Sequence, residues 1–548
     1  VISLVALVFL NFKTAWIVTV LSSLIVFVYK SSVERSLKAR LPSLLQAEEN
    51  LTEEKVQFPL MSLVALLVGL FFFLSTSSIG AAISRSAGIS FNDIRPSFMT
   101  TTSVMRSALY HDPLFGAGAG RYGDVWNLYH PDAINSSLFW NANFETGFNL
   151  IQSVATTNGI LPSLALLAVL VFAIIHGFKL FNCQFPDRFT RFIAVASLVM
   201  SLAFITLFFF ASPGVVLIIC GFVYIGLLFG VSSLVGKTKV YSLEYLKDPR
   251  ISFFAILVLV VASMTGFSAV YLTGNKFASI VLYNRALTAS DITQADRYLA
   301  RAISLSNNDA YWKARTLLYT NQFRTEAAKQ TPDKNELQRF FTQAEQSAQQ
   351  SLLLDKENAE SWLMLSQVYQ LVADTTNADA LNNASAAGEE ARKRSPHNPL
   401  YVLNNARIDI IKKDVTAALA KIDTALTLKP NYLDAFLFRG QIKAAQGDTG
   451  ALKSEITKYI TAAPYDDQGY MLLGKAYLDS KDYQLAFDAF LRAHQLAPTN
   501  ATNYLAYISA LEQSGNKAKA VEELQSFKKQ FPKLEGVDDQ INRIQNGI

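Results

Sequence analysis

Three glycines raise the first question. In PLFGAGAGRYGDVW, residues 113–126, Gly118, Gly120 and Gly123 stand in the order G-x-G-x-x-G. At that spacing a glycine turn lets backbone N–H groups approach a pyrophosphate, the way a dinucleotide is held. The same chemistry needs a strand before the glycines, a helix after them and a βαβ unit around both. Here the preceding stretch, MTTTSVMRSALYHD, reads as a helix. Glu145 stands at about the right distance for a ribose-binding acid, but any loop offers one. A Walker-type phosphate loop needs Gly-Lys-Ser/Thr, which this stretch lacks. These residues point away from a nucleotide, and their meaning depends on the elements that carry them.

The chain has 548 residues, too many for one ordinary domain. It is 51% hydrophobic and 17% charged, an average that hides two halves. Residues 1–274 carry long apolar runs. Residues 275–548 are rich in Ala, Gln, Asn, Lys and Asp, as a soluble helical protein is. The net charge of +5 is modest and no Lys/Arg block occurs, so no nucleic-acid partner is expected. The two cysteines, Cys183 in a short loop and Cys220 inside an apolar run, suggest neither a disulfide framework nor a metal site. No cofactor is expected. The chain begins with Val1 inside an apolar stretch, which suggests a fragment whose earlier spans and targeting segment lie upstream.

A helix needs roughly 20 apolar residues to cross a bilayer. The candidate spans are 1–10 (the end of a cut span), 12–29, 60–79, 158–177, 192–212, 214–234 and 252–274. Segments 30–59, 178–191 and 235–250 hold Lys30, Arg35, Lys38, Arg40, Lys55, Lys179, Arg188, Arg191, Lys237, Lys239, Lys247 and Arg250. The long loop 80–157 holds only Arg85, Arg95, Arg106 and Arg121. The positive-inside rule makes the three basic segments cytoplasmic. The long loop is then extracytoplasmic, where NAD is not the expected ligand. So is everything after residue 274.

The second half repeats. Pro396, Pro430, Pro464, Pro498 and Pro532 recur every 34 residues, the period of the tetratricopeptide repeat (TPR), a pair of antiparallel helices. Gly440 and Gly474 keep the phase, where two helices must approach closely. Ala418, Ala486 and Ala520 hold a second small position, and Ala425 and Ala493 a third. Phe436, Tyr470 and Tyr504 recur in the first helix of the pair. Residues 396–531 resemble the TPR family strongly. An earlier unit fits at ENAESWLMLSQVY, with an insertion near VADTTNADA, and 284–350 begin the array with weaker repeats. Stacked repeats make a curved solenoid whose concave face reads as a docking surface for a peptide or protein, the alternative being a spacer with no specific ligand. The fold class expected is all-α: a polytopic transmembrane helix bundle (1–274) with a large extracytoplasmic loop, followed by an α-solenoid of TPR repeats (275–548).

The wider stretch RPSFMTTTSVMRSALYHDPLFGAGAGRYGDVW, followed by FETGFNLIQSVATTNGILPSLALLAVL, resembles the O-antigen ligase and polymerase-like membrane family of bacteria. The matching pieces are Arg95, the helix around Met105, Pro113–Tyr122, Asn149 and Gly159, within roughly residues 60–235. Many members carry C-terminal TPR repeats. The resemblance implies transfer of a glycan from a polyprenyl diphosphate to an acceptor hydroxyl on the outer face of the cytoplasmic membrane, without nucleotide or metal. Under it, Arg95, Arg121 and the weaker candidate Arg106 would neutralise the diphosphate, because the guanidinium fork matches phosphate oxygens. Gly116, Gly118 and Gly120 would let the backbone approach and supply N–H donors. Ligases of this family place a His just before the Asn; here Phe148 precedes Asn149. A base would then have to come from Glu145, His130, His111 or Asp124.

Trp126, Tyr129 and Trp140 are expected to anchor the loop at the membrane interface, with sugar stacking as the lesser reading. Two functions follow. One is a ligase or polymerase acting on a lipid-linked glycan, with membrane lipids around it and a protein or peptide partner in the TPR groove. The other is a non-catalytic membrane scaffold in which the core has lost its base and anchors the array.

Overall fold

Apolar runs free of charged residues become the long helices of the first half in the computed structural model. It describes residues 2–33, 59–88, 94–180, 183, 185, 187–235, 249–373, 377–448, 450–531 and 536–546. Arg35, Lys38, Arg40, Lys55, Lys237, Lys239, Lys247 and Pro532, together with residues 374–376 of the expected insertion, lie outside them. The fold is all-α, and among the described residues there is no strand. The chain divides into two compact units: residues 1–131 with 143–273, and residues 132–142 with 274–548.

The first unit begins with α1 (Ile2–Leu10), α2 (Lys13–Val28), α3 (Leu60–Leu74) and α4 (Ala81–Ser86). Trp16 of α2 is fully buried and stacks on Phe72 of α3, with ring centroids 5.1 Å apart. Beyond α3 the chain bends by 78°. The hydroxyls of Ser75 and Thr76 bond back to Phe71 and Phe72 carbonyls, and Asn11 Nδ2 donates to Thr76 O (2.8 Å). Such side-chain insertion into the helical ladder is a known cause of kinks. The expected span 60–79 is therefore a bent pair, and α1, at nine residues, is too short to cross alone.

Next come α5 (Phe98–His111), α6 (Tyr122–Tyr129), α7 (Leu150–Asn158), α8 (Ile160–Leu180), α9 (Arg188–Phe210) and α10 (Val215–Leu234). Leu170, Leu198, Ile205, Phe208, Ile225 and Leu228 form the core of α8–α10. A Cβ on Gly221 would meet the Phe208 ring at 2.6 Å, so the glycine sets how closely α9 and α10 pack. The last helix, α11, runs unbroken from Pro249 to Thr288, past residue 274, where the sequence reading ends the span. Five helices are long and apolar enough to cross a membrane, or six if the bent pair counts as one span. None of the residues in the apolar window of α11 is buried.

The second unit takes α11 from Gly274 onward and adds α12 (Ile292–Leu305), α13 (Asp309–Ala327), α14 (Lys334–Leu354), α15 (Ala359–Gln370), α16 (Ala378–Arg394), α17 (Pro399–Ile411), α18 (Val415–Leu428), α19 (Leu433–Ala445), α20 (Ala451–Ala462), α21 (Asp467–Asp479), α22 (Tyr483–Leu496), α23 (Ala501–Gln513), α24 (Lys517–Gln530) and α25 (Val537–Asn546). From α13 to α24 these pair into antiparallel hairpins that stack in sequence. Small residues set the spacing. Ala418, Ala425, Ala486, Ala493 and Ala520 are fully buried. A Cβ on Gly440 would stand 3.0 Å from Leu452 Cα, and one on Gly474 would stand 2.6 Å from the Phe490 ring. Helices α13 and α15, and α15 and α17, also touch, which puts the first helices of the hairpins in one inner row.

One part of the sequence reading needs correcting here. It assigns all of 80–157 to the first unit, but Asp132–Ala142 packs with the array. Trp140, expected at the membrane interface, packs against Tyr432, 5.1 Å between centroids. Trp126 is also buried, edge-on to Phe144.

Candidate functional site

The glycine-rich loop sits between two helices, α5 and α6, so a nucleotide-binding strand–turn–helix is not what surrounds it. Its glycines are required by the backbone. Gly116 has φ +65°, and a Cβ there would lie 2.6 Å from Gly159 N. Gly159 has φ +81°, and its Cβ would lie 2.4 Å from Leu114 O. The two glycines stand back to back because no side chain fits on either. The N–H of Gly118 donates to Thr157 O (2.7 Å), and that of Gly116 to Asp112 O (3.1 Å). In return the N–H of Ile160 donates to Pro113 O (2.9 Å). The loop thus satisfies the end of α7 and the start of α8, groups a helix cannot satisfy itself. Gly120, with φ +78°, faces open space.

Each arginine has its own place. Arg95 Nη1 donates to Phe148 O (2.8 Å) and to Phe210 O (2.7 Å), the last carbonyl of α9. Its guanidinium lies 4.3 Å from the centroid of the Phe148 ring. Phe148, standing where the resembled ligases have a His, is thus a platform for Arg95. Asn149 caps α7 by accepting from Gln152 N and donates to Phe209 O (2.9 Å). Arg121 precedes α6 and pairs with Asp124 at 3.1 Å, with 43% of its side chain exposed. Arg106 is exposed on α5.

The base candidates scatter. His130 is 3% exposed and stacked on Trp126. His111 is exposed and stacked on Tyr129. Glu145 is exposed beside Asn143, and a Cβ on Gly123 would lie 3.3 Å from its Oε1. The structure therefore brings Glu145 to the start of α6, near Arg121 and Asp124. Tyr122 is buried there, and burial pushes its hydroxyl up to about 12, so it is protonated at neutral pH.

Sequence reasoning missed the residues that line the array's groove. One cleft of about 290 Å³ is lined by Arg324 of α13, Gln367 and Gln370 of α15, and Asn404 and Arg407 of α17. A second, of about 390 Å³, is lined by Arg407, Ile410, Asp434, Leu437, Phe438 and Gln441. Arg407 lines both, so the two adjoin along the first helices. Asn404, Gln370 and Ser366 bond to one another: Gln370 Nε2 donates to Asn404 Oδ1 (3.0 Å), and Asn404 Nδ2 to Ser366 Oγ (3.2 Å). Arg407, Gln441 and Lys475 stand 34 residues apart, as do Asn404, Phe438 and Leu472. The repeat period was the signal that could have found Arg407, Gln441 and Lys475: exposed side chains at one fixed phase. The linings combine carboxamides, guanidinium groups and the Asp434 carboxylate with the side chains of Leu371, Ile410, Leu437 and Phe438.

No protein-family model matches the chain, and no curated protein matches it. Among solved structures it is similar to PilW, described as a widely conserved type IV pilus biogenesis factor: 19% identity, 42% of this chain and 98% of that one, TM-score 0.26. It is similar to MamA from Desulfovibrio magneticus RS-1: 17% identity, 32% and 97% covered, TM-score 0.24. It is also similar to yeast Tom70: 11% identity, 70% and 86% covered, TM-score 0.35. At these values the likeness carries no functional statement. The architecture itself, helical hairpins at a 34-residue period, makes the second unit a TPR-type array.

Proposed function

We propose that the protein is a membrane-anchored docking scaffold. Its first unit holds the chain in a cytoplasmic membrane, and its array, on the outer side by the distribution of Lys and Arg, receives an extended segment of a partner protein. The observation that carries this reading is the continuity of the two clefts through Arg407. The first cleft has Arg324 and Arg407 as its charged groups, and so favours a partner carboxylate. The second offers Ile410, Leu437 and Phe438 to an apolar side chain a few residues on. The expected ligand is an acidic-then-apolar peptide lying along α15, α17 and α19. Peptides of this pattern, titrated against the full chain in lipid nanodiscs, should bind, and Arg407→Glu should weaken them at least about tenfold. Equal binding by wild type and Arg407→Glu would sink the reading.

Transfer of a lipid-linked glycan is the second reading. It is supported by the exposed Arg121, the open Gly120 and the exposed Glu145, all near the start of α6. Against it, Arg95 and Gly118 spend hydrogen bonds on carbonyls within the protein. Release of polyprenyl diphosphate by the reconstituted chain, lost in Arg121→Ala, would restore this reading to first place.

A further inference from the structure

Among the first four inter-repeat turns, the one at Pro430 breaks the pattern of the other three. In steps of 34, the residue before each of the first four repeat prolines is Ser395, Lys429, Ala463 and Ala497, and Phe531 precedes the fifth. The residue two places after each of these four prolines is Asn398, Tyr432, Asp466 and Asn500. The side chains of Asn398, Asp466 and Asn500 cap the helices that follow, whereas that of Tyr432 makes no cap. At this turn a lysine has replaced a small residue, and an aromatic ring has replaced a helix cap. Losing a cap destabilises the helix that follows. Burying an ammonium costs more unless it finds partners.

The partners come from DAINSSLFWNA, residues 132–142. Lys429 is 6% exposed, and burial pushes its ammonium below the ordinary lysine value. Its Nζ donates to Asn135 O (2.6 Å) and Asn431 Oδ1 (2.9 Å), with the Trp140 ring centroid 5.3 Å away. Asn135 is fully buried, and its Nδ2 donates to His397 O (2.8 Å) and Leu428 O (3.1 Å). One carboxamide thereby bridges two successive inter-repeat turns. The ends of the segment are held as well: Asp132 Oδ1 lies 2.7 Å from His397 Nδ1, and Asn398 Nδ2 donates to Asn141 Oδ1 (2.9 Å). Trp140 lies on Tyr432, the ring that stands where a cap is expected, and joins the core of α17 and α18.

We propose that the turns 395–398 and 429–432 form a peptide-recognition site separate from the groove, and that its ligand is the chain's own segment Asp132–Ala142. The site reads an Asn side chain against two main-chain carbonyls and a Trp five residues later against Tyr432, and Lys429 clamps the peptide backbone between them. The inference does not depend on the groove having a ligand.

The test uses the full chain in detergent micelles and reads amide hydrogen exchange. Lys429→Ala puts at this turn the residue that Ala463 and Ala497 already supply elsewhere, so the repeats should keep their fold. Asn135→Asp turns a carboxylate towards two carbonyls without touching the repeats. Both variants should exchange at least about tenfold faster over residues 132–142, because each removes hydrogen bonds to a charged or buried group. Helices α13 and α15 should exchange as in wild type. Added at saturation, the peptide DAINSSLFWNA should restore protection of the turn 429–432 in Asn135→Asp; the same peptide with Asp in place of its first Asn should not. Exchange over 132–142 that is equal in wild type and both variants overturns the proposal, as does failure of the unmodified peptide to protect the turn. Wild-type protection that disappears on dilution would make the occupant a second copy's segment and overturn the assignment to the chain's own.

Discussion

Two regions present the same kinds of side chain and use them in opposite ways. In the loop around Gly118, Arg95 and Asn149 donate to the last carbonyls of α9, and the loop N–H groups close the α7–α8 junction. In the groove, Arg324, Arg407 and Gln441 line open clefts. Residue type alone ranks the loop as the functional site, whereas the groove is where donors and acceptors face an open cleft. A polar group that completes a helix end cannot also be offered to a ligand without cost.

The comparison can be broken by substitution, beginning with the largest effect. Gly159→Ala forces an L residue to φ +81° with its Cβ 2.4 Å from Leu114 O. It should cost about 3 kcal/mol or more, read as a lower melting transition of the detergent-solubilised chain. An unchanged transition would mean that the loop yields easily and is freer than its contacts imply.

Glu455 is a buried charge of the array. It is 1% exposed and accepts from Arg439, Lys443 and Lys458. Burial raises its pKa, and the hydrogen bonds from Lys443, Lys458 and Arg439 outweigh that, leaving it below the ordinary carboxylate value. Glu455→Gln should cost about 3 kcal/mol. The sign with pH follows from the lowered value. The contribution of Glu455 is fully present above its ordinary value near 4.5 and is lost as pH falls below that towards the folded-state value. A melting series across that range should show a drop in wild type that Glu455→Gln lacks.

Arg95→Ala and Arg407→Ala sharpen the contrast. The first removes a cation from the carbonyls of Phe148 and Phe210 and should cost about 2 kcal/mol. The second, in an open cleft, should change stability by less than about 0.5 kcal/mol. If the two effects were reversed, the loop arginine would be the one poised for a ligand.

How much of this was legible in the sequence depended on what repeats. Gly440, Gly474 and the buried alanines declared themselves because a steric limit recurs wherever two helices touch. The helix before the glycine loop was legible from its pattern. The roles of Arg95 and Gly118 were not, because a bond to a carbonyl leaves no trace in residue type. Nor was the membership of Asp132–Ala142 in the array: Asn135 and Trp140 look like any loop polar and any interfacial aromatic until the turn they occupy is known. Lys429 carried a faint signal, a cation at a phase where Ser395, Ala463 and Ala497 are small.

The docked segment also sets an order of events. Asn135 meets His397 across 262 residues and Leu428 across 293. A chain made from its N-terminus presents Asp132–Ala142 long before the receiving turns exist. At about 5–20 residues per second the interval is roughly 15–60 s. For that time the Trp140 ring and the Asn135 amide have no seat. The nascent chain thus shows its surroundings an adhesive aromatic strip whose concealment marks completion of the repeats through α19.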